Sequence, residues 1–126
     1  MEVAWKEQEV LEVEKIYKSL DLSQEERDNI KFYGDFITNF IPLSSMVIQG
    51  IFTFSIQDWE QEHPGKVFAS EARGSNGVKV AKEMNDFVKK RLKNLLRDPK
   101  DHQRIEEGID TALRKFAEVG PRGSKG

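Results

Sequence analysis

The stretch FITNFIPLSSMVIQGIFTFSI, Phe36–Ile56, runs for 21 residues without a single charge. In a chain where 33% of residues are Asp, Glu, Lys or Arg, such a gap marks what folding must remove from water. Its length alone suffices to span a bilayer. However, Pro42 and Gly50 interrupt it, and Thr38, Asn39, Ser44, Ser45 and Gln49 dilute it. No Lys/Arg cluster flanks it to fix an orientation; the nearest charges are Asp35 and Asp58. The reading is therefore two core elements joined at Pro42, which lacks an N–H and restricts Ile41.

The second of these elements, Met46 to Trp59, has an ambiguous period. Ile48, Phe52, Ser55/Ile56 and Trp59 suit a helix, whereas Phe52-Thr53-Phe54-Ser55-Ile56 alternates as a strand would. Its length and its helical neighbours favour helix. A strand there needs a partner, which Lys66-Val67-Phe68-Ala69 beyond the His63-Pro64-Gly65 turn supplies. A small β-hairpin near residues 51–69 is thus the structural alternative.

Outward from the centre, every other segment reads as helix. Ser23-Gln24-Glu25-Glu26 is a capping box that starts a helix near Gln24. Ile30, Phe32, Tyr33, Phe36, Ile37, Phe40 and Ile41 cover about half of that helix. Before it, Val3, Val10, Val13, Tyr17 and Leu20 form one stripe of a helix over about residues 3–20, with Glu7, Glu9, Glu12 and Glu14 mostly off it. After the loop Arg73-Gly74-Ser75-Asn76-Gly77, a helix runs from about Val78 to Arg97, with Val80, Ala81, Met84, Phe87, Val88, Leu92, Leu95 and Leu96 as its buried face. Asp98-Pro99 caps a last helix carrying Ile105, Ile109, Ala112, Leu113 and Phe116, ended by Gly120-Pro121. The fold class is all-α: a compact, bundle-like single domain of four or five helices over residues 1–120, with 121–126 as a flexible tail.

Composition removes several kinds of chemistry. The 126 residues include no cysteine, so disulfides, thiolate zinc sites, iron–sulfur clusters and a cysteine nucleophile are excluded. The opening Met1-Glu2-Val3-Ala4-Trp5-Lys6-Glu7 lacks the basic and apolar regions of a secretory signal, which gives a cytoplasmic expectation. His102 and Glu106, an i,i+4 pair, have no apparent third metal ligand. No serine sits in a Gly-x-Ser-x-Gly elbow, and no Glu-x-x-His pair serves a di-iron bundle. The loop before Val78 matches neither a Walker loop nor a dinucleotide fingerprint. No catalytic residue, metal ligand or cofactor is assigned.

The net charge of −2 conceals an asymmetry: residues 1–35 carry −5 and residues 66–97 carry +6. Lys79, Lys82, Lys89, Lys90, Lys93 and Arg97 fall opposite the apolar arc of their helix, a face that suits an anionic partner. Within that arc sits Arg91, which must snorkel to the rim, pair with a carboxylate or face a second subunit. The apolar surplus in the middle points to an interface through Ile48, Ile51, Phe52, Phe54 and Trp59. The functional expectation is a non-catalytic protein–protein interaction or regulatory module, self-associating as a homodimer or bound to another protein. Two alternatives stand beside it: a nucleic-acid-binding regulator using the basic helix 78–97, and a membrane-associated protein using 36–56. An enzyme has the least support, since no constellation joins nucleophile, base and stabiliser.

Overall fold

The computed structural model describes residues 3–119, with side chains through residue 115. Within them the chain forms six α-helices: α1 Glu7–Ser19, α2 Gln24–Ile37, α3 Ser45–Glu62, α4 Phe68–Arg73, α5 Gly77–Asn94 and α6 His102–Val119. A 3₁₀ turn, Pro99–Asp101, leads into α6. The architecture is all-α. The termination at Gly120-Pro121, the 121–126 tail and the side chain of Phe116 lie outside the described residues.

The uncharged stretch becomes the end of α2, a turn and most of α3. Ser23 and Glu26 close the capping box of α2 reciprocally, at 3.1 and 2.9 Å. The chain leaves helix at Thr38, and Ser44 restarts it by accepting the amide of Val47 at 3.3 Å. α3 is the central element, packed against α1, α2 and α5. Two glycines set how closely it is approached. A methyl on Gly50 would lie 2.8 Å from Val13 Cγ1 of α1, and one on Gly34 would lie 2.7 Å from Gln49 Cγ. These are the crossings of α3 with α1 and with α2, and no larger residue fits without a shift.

Burial from several sides explains why the period of α3 is hard to read. Val47, Ile48, Ile51 and Trp59 are buried, but so are Gln49, Thr53 and Ser55. Thr53 Oγ1 donates to the Gln49 carbonyl and Ser55 Oγ to the Ile51 carbonyl, both at 2.8 Å. A hydroxyl that returns its hydrogen to the carbonyl four residues back is satisfied inside a helix, so it need not face water. The alternation at 52–56 therefore reflects this burial, and the hairpin alternative is corrected. Phe52–Ile56 is mid-helix, and Phe68-Ala69 opens α4. Among the described residues the only β pairing is an isolated bridge, Trp5 with Leu96.

That bridge ties the N-terminus to the end of α5. Lys6 N donates to Leu95 O at 2.8 Å, Arg97 N to Ala4 O at 3.0 Å, and Arg97 Nε to Trp5 O at 2.7 Å. Residues 4–6 are thus paired with 95–97 rather than helical, and α1 starts four residues later than its apolar stripe suggests. Tyr17, at 1% exposure, anchors α1: its hydroxyl donates to Gln49 Oε1 at 3.0 Å. Gln49 Nε2 in turn donates to Ser45 Oγ at 2.9 Å, and Ser45 to Asp35 Oδ1 at 2.5 Å. This relay links α1, α3 and α2.

The short α4 was not expected. Gly65, at φ 85°, turns the chain after Pro64, and the Glu60 carboxylate accepts the amide of Phe68 at 2.9 Å. Phe68 then packs edge-on against Trp59, with centroids 5.6 Å apart. Such a cap comes from eight residues away, so no local signal announces it. α5 and α6 bury Val80, Met84, Val88, Leu92, Ile105, Ile109 and Ala112 in the same core. Ala81, assigned to the buried face, is exposed. Among the described residues, no helix is long and apolar enough to cross a membrane.

Candidate interaction groove

Several hollows border α5. An apolar groove lies between α2 and the α4–α5 pair and encloses about 370 Å³. Tyr33 and Phe52 form its floor, stacked with centroids 3.9 Å apart and planes 29° from parallel. Phe68 meets Phe52 edge-on at 6.5 Å, and Met84 completes the base. Burial pushes the Tyr33 hydroxyl well above its ordinary pKa of 10.0, so it stays neutral at any physiological pH. Asn29 and Phe32 of α2 line one lip; Ala69, Ala72 and Arg73 of α4 and Ala81 of α5 line the other. Phe32 is 44% exposed there, although it belongs to the apolar arc of α2. A second hollow of about 620 Å³ shares Ala81, Asn85 and Leu113 with the groove and extends it past Val78, which is 76% exposed.

A separate hollow, also about 370 Å³, lies among α1, α3 and α5. Val13, Ile16 and Phe54 line it with Arg91. Arg91 forms a two-pronged pair with Asp58, Nε to Oδ2 at 2.7 Å and Nη2 to Oδ1 at 2.9 Å, and its guanidinium lies 5.3 Å from the centre of the Phe54 ring. Fork-to-carboxylate geometry satisfies both partners at once. This is the resolution of an arginine in an apolar arc: a carboxylate one helix away, on α3.

The residues singled out from sequence do not converge. Ile48, Ile51 and Trp59 are 2%, 1% and 1% exposed and belong to the chain's own core, so they offer nothing to a partner. Their helix is covered from several sides, which periodicity within one helix does not reveal. Phe52 reaches the groove beside α4 and Phe54 the hollow among α1, α3 and α5, both half-buried. The basic face is likewise divided. Lys89 binds Asp110 at 2.7 Å and Lys93 binds Glu106, both carboxylates on α6. The Lys93 ammonium holds the Glu106 carboxyl below its ordinary 4.5, and the same pairing removes Glu106 from any site with His102. Arg97 is turned to the Trp5 carbonyl. Lys79, Lys82 and Lys90 remain exposed.

Sequence reasoning missed the groove because its lips come from α2, α4 and α5, distant in sequence. The available signal was Phe32, at the edge of an arc wider than one helix needs to bury. The groove offers apolar surface and two amides, with no acid–base pair inside it. Among the described residues, no group of three His, Asp or Glu is placed to hold a metal ion. No protein-family model matches the chain, and comparison with curated proteins and with solved structures gives no match either.

Proposed function

We propose that this chain is a non-catalytic protein-interaction module that receives an apolar surface of a partner in the groove between α2 and the α4–α5 pair. The observation that carries this reading is the open aromatic floor of Tyr33, Phe52 and Phe68 beneath an exposed Phe32. Exposed large apolar groups cost free energy in water, and a contiguous patch around a hollow is the usual mark of a contact surface. Aromatic and methionine side chains are also those that interfaces favour. Apolar groups outside the hollow, Val78 and Phe32 among them, favour a broad protein surface over an enclosed small ligand.

The nucleic-acid reading of α5 has weaker support. Lys89 and Lys93 are neutralised by α6 and Arg97 lies beyond the end of α5, so the row of free charges is shorter and releases fewer counterions. The membrane reading loses its basis because Ile37, Ile41, Val47, Ile48 and Ile51 of the uncharged stretch are all buried in the core. A benzophenone amino acid placed at position 32 tests the proposal directly. Irradiation in the cell extract should yield a covalent protein adduct there and none when the probe replaces exposed Lys18 on α1. Absence of any protein adduct at position 32 would sink the reading.

A further inference from the structure

We infer that the occupant of this groove is a second copy of the chain, docked about a two-fold axis that runs along the groove. The inference rests on the interaction reading above and specifies its partner. It comes from how charge and size are distributed on the two lips. On the α2 lip, Glu25 and Asp28 lie seven and four residues before Phe32, on the same side of the helix, and all three are exposed. The opposite lip carries Arg73 of α4, and Lys82 of α5 and Arg114 of α6 line the adjoining hollow. These three are exposed, and none has an ion pair among the described residues. Asp86 stands on that side too, against three cations, while Asp110 is already neutralised by Lys89. The lips are separate walls: α2 packs on α3 and α6, whereas α4 packs on α5 and α3.

Two copies can meet groove to groove with two-fold symmetry in two ways. An axis across the groove sets acidic lip over acidic lip and basic over basic. An axis along the groove exchanges the lips, so Glu25 and Asp28 of each copy face Arg73 and Lys82 of the other. Like charges brought face to face are strongly unfavourable, so the second arrangement is selected. Size agrees with charge. The exchange brings the large exposed Phe32 of each copy over Ala69, Ala72 and Ala81 of the other, where small side chains leave room for a ring.

Light scattering and sedimentation on the full chain test this. Mass should rise from 14.5 kDa towards twice that value as concentration increases over about 10–500 μM, and less steeply in high salt. Arg73→Glu/Lys82→Glu makes both lips acidic, and Glu25→Lys/Asp28→Lys makes both basic. Each double variant alone should self-associate about tenfold or more weakly than the parent. Mixed, the two should form a heterodimer, since every facing pair is again opposite in sign. Far-UV circular dichroism confirms that each is folded before mixing. A parent chain that stays monomeric at the highest concentration, or folded variants that fail to pair when mixed, would overturn the inference. The adduct at position 32 separates the two levels. A product of twice the chain's mass supports the second copy. An adduct of another mass overturns the second copy and leaves the interaction reading standing, and no adduct overturns both.

Discussion

Replacing Gly50 by alanine is the sharpest test of how α1 is seated, because two effects of opposite sign compete. In an ordinary helix interior the change stabilises by about 0.5–1 kcal/mol, since glycine loses more backbone freedom on folding. Here the new methyl would stand 2.8 Å from Val13 Cγ1, 3.2 Å from Tyr17 Cβ and 3.3 Å from the Val13 carbonyl oxygen. Ordinary carbon contacts lie at about 3.5–4.0 Å, so α1 must retreat by roughly 0.5–1 Å or Val13 must leave its rotamer. Such overpacking costs about 1–3 kcal/mol. The obstruction wins, and Gly50→Ala should destabilise by about 0.5–2 kcal/mol, a fall in Tm of about 2–8 °C. Tyr17 adds to this, since its 3.0 Å hydrogen bond to Gln49 sits next to the new methyl and stretches if α1 moves. Thermal and urea unfolding followed by far-UV circular dichroism measure the change. Val13→Ala removes the nearest obstructing carbon, so it should cost about 1 kcal/mol less in the Gly50→Ala background than alone. A rise in Tm for Gly50→Ala, or equal effects of Val13→Ala in both backgrounds, would refute the close crossing.

Tyr17→Phe keeps the packed ring and deletes the donor to Gln49, and should cost about 1 kcal/mol in a urea titration. No loss would mean that the relay through Gln49 and Ser45 is not held. Arg91→Met should change stability by less than about 1 kcal/mol, because the pair with Asp58 is partly exposed and its loss is offset by apolar fit. Asp58→Ala, which strands the guanidinium, should cost more than Arg91→Met; the reverse order would contradict a mutual pair. Acid stability should depend on Asp35 and Glu106. Hydrogen bonds from Lys31 and then Ser45 hold Asp35 below its ordinary 3.8, and Lys93 holds Glu106 below 4.5. A carboxylate with a depressed folded pKa contributes stability that is whole above its unfolded value and lost as pH falls through the folded one. The urea midpoint should therefore fall below about pH 4, and Asp35→Asn with Glu106→Gln should flatten that fall. An unchanged acid limb would rule out both pairings as its source.

The sequence by itself determined the helices and most of what they bury. The capping box at Ser23 and Glu26 and the helix period of α5 are local devices, and each operates where the chain alone places it. The same locality explains what was illegible. Whether Ile48 and Trp59 face a partner or a core depends on which helices lie over α3, and that is settled by glycine-sized gaps at Gly34 and Gly50 meeting side chains from α1 and α3 itself. Lys89 and Lys93 look like part of an exposed basic face until α6 brings Asp110 and Glu106 beside them. α4 exists through a carboxylate eight residues upstream, and without it the groove would lack a wall. Phe36–Ile56 announced that something must be hidden from water, because an uncharged run admits few alternatives. Which apolar groups remained outside was decided by tertiary packing, since the depth of each side chain is a property of its neighbours rather than of its own element.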